Sequence, residues 1–545
     1  MKDIKKKMLT LGIIMAVFAG TLSYTGCSGS SETADASGET QNSATAAETA
    51  SSDETAPKYI FLFIGDGMSY PQIQLTNYFV SANESAQKGE TVSVEGEDTP
   101  VLQSENHLTM MDFETAGSAQ TYDSTSFAPD SASTATSIAT GNKTWSGSIN
   151  VSLDFSEQYE TIAEKLKSQK NYKIGIISSV NLNHATPAAF YAHQQSRNSY
   201  YDIGLELIDS GFDYFAGGGL LKPTGADEDQ EDLYTLAEEA GYNVIKTQAE
   251  AENLTAEDGK TIVIDEHLAD SSAMAYDIDR AEGDWGLSDY VEKGIEVLDN
   301  DDAGFFMMVE GGKIDWACHA NDAATVIQDT LALDEAVAKA VDFYNEHPDE
   351  TLILVTGDHE TGGLTIGFAG TDYDTFLTNF NNQKVSFTYF DDNYVEGYKE
   401  NKTDFDTVMT DVTELFGLVP PEGETSSTSQ KDSADLHPES DNDGTLVMTD
   451  YEYGKLKAAY EVTLARTGDE EEFEQQEYEL YGSYEPLTVT ITHILNNKSG
   501  VSFSSYAHTG LPVEVLVKGE DAGSFEGFYD NTDICKKLGQ LTGVI

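Results

Sequence analysis

Several acids and imidazoles stand at spacings that suit cation binding. Asp358-His359 follows the apolar run 352–355, which sets a carboxylate and an imidazole at the end of an expected strand. Asp66, in Ile64-Gly65-Asp66-Gly67-Met68, follows a second such run at 59–64 and can join that pair as a third ligand to one ion. Asp315 and His319 are four residues apart and share a face on a helical turn. With His508 they give an Asp/His/His set for a second ion. Oxygen and nitrogen donors in threes, with open positions left over, suit zinc. Two such cations about 4 Å apart can bind the attacking and leaving oxygens of a phosphoryl transfer. Taken singly, each feature also has a structural reading. Asp66 serves equally as a turn or cap aspartate, Asp358-His359 as a loop pair, Asp315 and His319 as a solvated helix face, and His508 as a packed histidine.

A serine stands among them. Pro129-Asp130-Ser131-Ala132-Ser133-Thr134, continuing to Gly141, reads as a helix start with Asp130 as its cap. A serine there meets a positive field and unpaired N–H groups, which suits a phosphate or another anion. The small residues that follow serve close helix packing as well, so this stretch alone is also compatible with a purely structural role.

The surrounding chain supplies a frame to position these groups. Helical spacing at 157–170, 201–210, 233–240, 287–298 and 323–344 alternates with apolar runs at 173–178, 214–216, 261–264, 304–309 and 351–355. Strand–helix alternation predicts an α/β fold with a large, mostly parallel sheet covered on both faces, a three-layer α/β/α arrangement. The polar runs 82–99 and 114–128 are expected to be surface loops. From 368 to 495 the chain turns acidic and aromatic, with helices expected at 405–416 and 450–466 around a polar break at 420–443. This stretch reads as an inserted acidic subdomain.

Six segments follow one another in order: Ile64-Gly65-Asp66-Gly67-Met68, Asp130-Ser131, His184-Ala185-Thr186-Pro187-Ala188-Ala189, Val309-Glu310-Gly311-Gly312-Lys313-Ile314-Asp315-Trp316-Ala317-Cys318-His319, Thr356-Gly357-Asp358-His359-Glu360 and Ala507-His508-Thr509-Gly510. Together they resemble the alkaline phosphatases, from about residue 58 to the C-terminus with one large interruption. The chain has ten histidines, and four of them fall in these segments. The resemblance implies the alkaline phosphatase-like fold and hydrolysis of phosphate monoesters, with Ser131 as the nucleophile that becomes phosphorylated. It implies one zinc at Asp66, Asp358 and His359 that activates the serine, and another at Asp315, His319 and His508 that binds the leaving alkoxide. Arg197, in Ser196-Arg197-Asn198, matches the family arginine that forks onto two phosphate oxygens. A third site, usually magnesium, takes Asp66, Thr186 and Glu310. His184 stands where some members have an aspartate beside that site, which leaves magnesium, zinc or cobalt open there. Trp316 stands where some members have a lysine or histidine, so a cation near the phosphate is missing. Family members are often homodimers, and a homodimer is expected by analogy.

Composition narrows the partners. The 545 residues carry 96 acidic against 30 basic side chains, a formal charge of −66, and only three arginines, Arg197, Arg280 and Arg466. Such a surface repels nucleic acids and anionic membranes, so nucleic-acid binding is excluded as the main task. It repels phosphate esters too, and bound divalent cations would reverse that locally. Lys2, Lys5, Lys6 and Lys7 precede an apolar run at 8–19, an export signal in form. Tyr24-Thr25-Gly26-Cys27 resembles a bacterial lipoprotein cleavage box, with Cys27 bearing the lipid; an ordinary cleaved signal with a chance cysteine is the other reading. Residues 1–27 are thus expected to be the signal, 28–57 a flexible Ser/Thr/Ala/Glu-rich tether, and 58–545 the catalytic domain of an exported, lipid-anchored protein. Cys318 and Cys535 are far apart and indicate no disulfide framework, and Cys318 is expected to be a packed thiol. A phosphodiesterase of the same superfamily and a non-catalytic, metal-binding surface lipoprotein are the competing readings. The loss of Ser131, Arg197 or a metal-binding residue would have favoured the second, and none is lost. A sulfatase needs a Pro and an Arg after its Cys or Ser, and Ser131-Ala132-Ser133-Thr134-Ala135 lacks both.

Overall fold

A computed structural model of the chain describes residues 56–94, 97–102, 104–299, 303–421, 444–466 and 473–545. The expected signal with Cys27, nearly all of the tether, and most of the polar break at 420–443 lie outside the described residues.

Strand β1, Tyr59–Gly65, shows how the sheet is built. Its side chains alternate between faces with period two. Ile60, Leu62 and Ile64 join a core with Ile138, Leu166 and Leu207 on one side. Tyr59, Phe61 and Phe63 join a second core with Val291, Leu333 and Val337 on the other. Both faces are therefore covered by helices, and every β1 residue is buried. That is why the run is apolar throughout.

Nine further strands complete the sheet: β2 Thr115–Gln120, β3 Lys173–Asn181, β4 Tyr214–Gly218, β5 Asn243–Ile245, β6 Thr261–Ile264, β7 Phe305–Gly311, β8 Thr351–Gly357, β9 Val513–Gly519 and β10 Gly527–Asp530. Their spatial order is β10-β2-β9-β8-β1-β7-β3-β4-β6-β5. All neighbours pair in parallel except β9, which is antiparallel to both β8 and β2. The fold is the expected three-layer α/β class with a large, mostly parallel sheet.

Two loop expectations are corrected. Residues 82–88 belong to the helix Tyr70–Lys88, which a capping box between Ser69 and Gln72 and a proline in its first turn initiate. Residues 115–120, Thr-Ala-Gly-Ser-Ala-Gln, form sheet strand β2. They are small because neighbours press on them: a Cβ at Gly117 would lie 2.1 Å from the Phe525 carbonyl oxygen. Small polar strands of this kind carry little periodic apolar signal. The helix expected at 157–170 starts later, at Ile162, where Thr161 and Glu164 form its capping box.

Within 368–495, helices Phe405–Phe416 and Asp450–Ala465 form. Phe390, Val408, Val412, Phe416, Leu456 and Leu487 share a separate apolar cluster. Among the described residues, no helix is long and apolar enough to cross a membrane.

One backbone contact fixes the rim of the sheet. At Gly357, the end of β8, an added Cβ would lie 1.7 Å from the carbonyl oxygen of Met68, in the turn that follows β1. Gly357→Ala is therefore expected to cost roughly 2 kcal/mol or more and to lower the thermal unfolding midpoint by several degrees, measured by calorimetry. An unchanged midpoint would contradict this close approach.

Candidate active site

The candidate residues gather where the parallel strands end, the edge at which ligands bind in open α/β sheets. Asp66 follows β1, Asp358 and His359 follow β8, and Glu310 lies in the last residues of β7. Asp315 and His319 sit on the short helix Lys313–His319 that follows β7. His508 lies on a two-residue strand that pairs His508 and Thr509 with Glu360 and Thr361. Ser131 opens the helix Ser131–Thr140, whose cap is Asp130, accepting from the Ser133 backbone N–H.

Ser131 Oγ lies 3.3 Å from Asp66 Oδ1 and 3.1 Å from His359 Nε2. His359 Nε2 is 3.3 Å from Asp66 and 3.2 Å from Asp358. The expected trio is thus contiguous, with Asp66 and His359 on the serine and Asp358 on His359. Asp315, His319 and His508 form the second trio, with ligand atoms all within 4.8 Å of one another. Asp315 also stands within that range of Asp66 and His359, so it lies between the two trios.

Two features fit cations. His319 Nδ1 donates to the Tyr506 carbonyl and His508 Nδ1 to the Pro129 carbonyl, both at 2.6 Å. These bonds hold a proton on each Nδ1 and set the two Nε2 atoms 3.1 Å apart and facing each other, so that two lone pairs meet when both rings are neutral and two protons meet when both are charged. A cation shared between them removes that conflict. The second feature is buried negative charge. Asp66, Glu310, Asp315 and Asp358 are each at most 5% exposed. Burial, then Asp358, Asp315 and Glu310, pushes Asp66 well above the usual carboxylate range. Burial and then Asp315 push Asp358 up to about 7. For Asp315 itself burial acts upward, but His319, with His508 and His359 behind it, outweighs burial and holds the acid well below its usual range. Buried like charges of this density call for compensating cations.

The third set is also assembled. Thr186 Oγ1 donates to Asp66 Oδ2 at 3.3 Å. Glu310 accepts from Ser178 through one oxygen, while its buried Oε1 has no hydrogen-bond partner. An orphaned carboxylate oxygen beside Asp66 and Thr186 fits an oxygen-seeking cation. His184 Nε2 is 3.4 Å from Arg197 Nη2, and its buried Nδ1 is unpartnered. Burial, followed by Arg197, lowers its pKa to about 3, so the ring is neutral.

Arg197 donates from Nη1 to Asp130 Oδ2 at 3.0 Å, beside the serine. Trp316 packs edge-on to His184 at 5.9 Å between ring centroids. A lysine packs against Trp316. Lys313 Nζ, fully buried and paired with Asp270, lies 4.7 Å from the Trp316 ring and 3.7 Å from that of Tyr276. Cys318 is free and buried, as expected of a packed thiol, and Cys535 is free and buried too.

Three supporting hydroxyls escaped the sequence reading. Thr134 Oγ1 donates to Asp358 at 2.9 Å, Thr361 Oγ1 to Asp315 at 2.5 Å, and Ser178 to Glu310. Thr134 and Thr361 lie three residues after Ser131 and two after His359, near enough for local spacing to have flagged them. Ser178 becomes visible only through the β3–β7 register, which pairs it with Glu310.

The family model described as alkaline phosphatase matches residues 57–544. Alkaline phosphatase 3 of Bacillus subtilis (strain 168) is 25% identical over 548 residues, covering 99% of this chain and 97% of its own length. The alkaline phosphatase of Schizosaccharomyces pombe is 30% identical over 331 residues, 57% of each chain. Among solved structures, a cold-active alkaline phosphatase from Shewanella sp. shares the fold with a TM-score of 0.66 at 24% identity, over 89% of this chain and 99% of that one. The Thermus thermophilus alkaline phosphatase gives a TM-score of 0.67 at 20% identity, over 90% and 92%. With the family pattern matched across nearly all of the described chain, this protein belongs to the alkaline phosphatase family.

Proposed function

We propose that the protein is an alkaline phosphomonoesterase that releases inorganic phosphate through a phosphoserine at Ser131. The observation that carries this reading is the gathering of four buried carboxylates and three imidazoles in one cluster whose Asp66 and His359 touch the Ser131 hydroxyl. Asp66, Asp358 and His359 would hold one zinc, Asp315, His319 and His508 a second, and Asp66, Thr186 and Glu310 a magnesium. When bound, such cations lower the pKa of a serine hydroxyl, neutralise phosphoryl charge and stabilise a leaving alkoxide. Arg197, steadied by Asp130, forks onto two phosphate oxygens. Ser131 Oγ, placed between Asp66 and His359, attacks phosphorus in line as the ester oxygen departs with its alcohol. Water then cleaves the Ser131 phosphate ester, restoring the hydroxyl and freeing phosphate.

Rates on a chromogenic phosphate monoester, a diester and a sulfate, before and after chelation, test this directly. The monoester is expected to be the fastest, to lose nearly all activity on chelation, and to regain it with added zinc. A monoester rate untouched by a chelator would overturn the metal assignment. His184→Asp is expected to raise the response of activity to added magnesium, because it sets a carboxylate where a neutral imidazole now stands. An unchanged magnesium titration would count against that placement.

We further propose that 58–545 is the catalytic domain with 368–495 inserted in it, and that the protein is exported and held at the membrane by lipid on Cys27. The lysine-led apolar run at 8–19 and the cleavage-box resemblance support the export and anchoring. A homodimer is the assembly expected by analogy with the family.

A further inference from the structure

We infer that Asn321 is a positioning residue for the second cation site, holding the His319 helix and the segment that carries His508 at one fixed spacing. The helix Pro486–Lys498 locks it in place through His493, which gives the stretch read as an insertion a part in retaining metal. The inference rests on the function proposed above, in which Asp315, His319 and His508 hold one zinc.

Asn321 stops the helix Lys313–His319. Its backbone is left-handed, at φ +53°. Its N–H donates to the Cys318 carbonyl and the next N–H, of Asp322, to the Ala317 carbonyl, each at 3.0 Å. Helices commonly end in this way with glycine at the left-handed position. Glycine meets that backbone with less strain; asparagine adds an amide. The side chain is buried, and both polar atoms of the amide are used. Nδ2 donates to the Cys318 carbonyl and to the Ser505 carbonyl, both at 2.9 Å. With both amide protons spent, Oδ1 accepts, and it takes the Nε2 proton of His493 at 3.0 Å.

The bond to Ser505 acts on the residues that follow it. The Tyr506 carbonyl, one residue on, accepts from His319 Nδ1 at 2.6 Å, and His508 comes two residues later. One amide therefore ties the chain segment of His319 to that of His508, beside the bond that orients the His319 ring. Residue 321 is held in turn from the far side, by two side chains of Pro486–Lys498. Asn496 Nδ2 donates to the Asn321 carbonyl at 2.7 Å, and the His493 ring stacks on that of Tyr506 at 5.9 Å between centroids. Burial, then Lys455, lowers the His493 pKa to about 4, so the ring is neutral and its one proton serves Asn321. Groups just outside the ligands of a metal set their direction, and losing one costs about 10- to 100-fold in metal affinity.

The test counts bound zinc in the full chain and its variants at equilibrium with a graded series of chelator concentrations. Asn321→Gly keeps the left-handed turn and deletes the amide. It is expected to weaken one zinc equivalent about tenfold or more and the others less than about threefold. His493→Phe, which keeps a ring against Tyr506, is expected to weaken the same equivalent about fivefold. Ile262→Ala, a cavity in strand β6 remote from the site, controls for lost stability and is expected to bind zinc as wild type does. On a phosphate monoester, kcat/KM of Asn321→Gly should fall at limiting zinc and return to within about twofold of wild type at saturating zinc. Unchanged zinc affinity in Asn321→Gly, or a loss shared by Ile262→Ala, would overturn the inference and leave the phosphatase reading intact. Unchanged affinity in His493→Phe alone would overturn the part given to the inserted stretch. A wild type that binds zinc but leaves the monoester intact would overturn the phosphatase reading alone, and one that binds no zinc would overturn both.

Discussion

Ser131→Ala is expected to lower kcat on a phosphate monoester by about 10³-fold or more and to abolish the phosphoenzyme. The hydroxyl lies within hydrogen-bond range of both Asp66 and His359 at the mouth of its helix. Its removal deletes the attacking atom yet leaves Asp130, Arg197 and the carboxylates in place. The fold should survive, because alanine suits this helix and a small side chain at 131 fits the packing. Acid quenching after mixing with labelled substrate should trap one phosphate per chain in the wild type and none in the variant. A labelled Ser131→Ala chain would move the covalent step to another residue.

Asp315→Asn is expected to have the next largest effect, a loss of at least about 10²-fold in kcat/KM with a fall in bound metal. Asp315 lies between the two trios: Oδ2 is 3.4 Å from His319 Nε2, Oδ1 is 3.7 Å from His508 Nε2, and Thr361 donates to Oδ1. Asparagine keeps the shape but removes the carboxylate charge that would face the cations, so both should bind more weakly. Elemental analysis of the purified variant beside wild type measures this. Full metal content with reduced activity would confine Asp315 to the chemistry, and full metal content with full activity would remove it from the site.

How much of this was readable depends on how local each signal is. Asp66 and Asp358-His359 were legible because each follows a short apolar run that the sheet buries on both faces. Asp315 and His319 were legible because helical geometry puts positions four apart on one side. His508 was not legible by any local rule. Its place is set by pairing with Glu360 and Thr361, almost 150 residues earlier, and only the ordered segments around it drew attention to it. The Ser178–Glu310 contact depends on strand register, which no spacing within either segment encodes. Strand β2 was missed because its small polar residues answer to the Phe525 backbone, a neighbour remote in sequence. Lys313 escaped notice for the opposite reason. A lysine reads as surface, yet here Asp270 and two aromatic rings make its burial tolerable.

The reversed direction of β9 has an architectural consequence. A parallel strand hands the rim the residues that come after it, whereas β9 delivers those that come before it, His508 to Pro512. The chain therefore leaves the rim after Gly357 and comes back to the same rim at Val513, with Thr356 opposite Val515. The stretch in between is thus an excursion that starts and ends on one rim. Its length can grow or shrink at a small entropic cost, since loop closure scales only with the logarithm of length. Swapping its inner stretch, 368–495, between related enzymes, while keeping Asp358, His359 and His508 at its two ends, should thus retune what surrounds the site without refolding the scaffold beneath it.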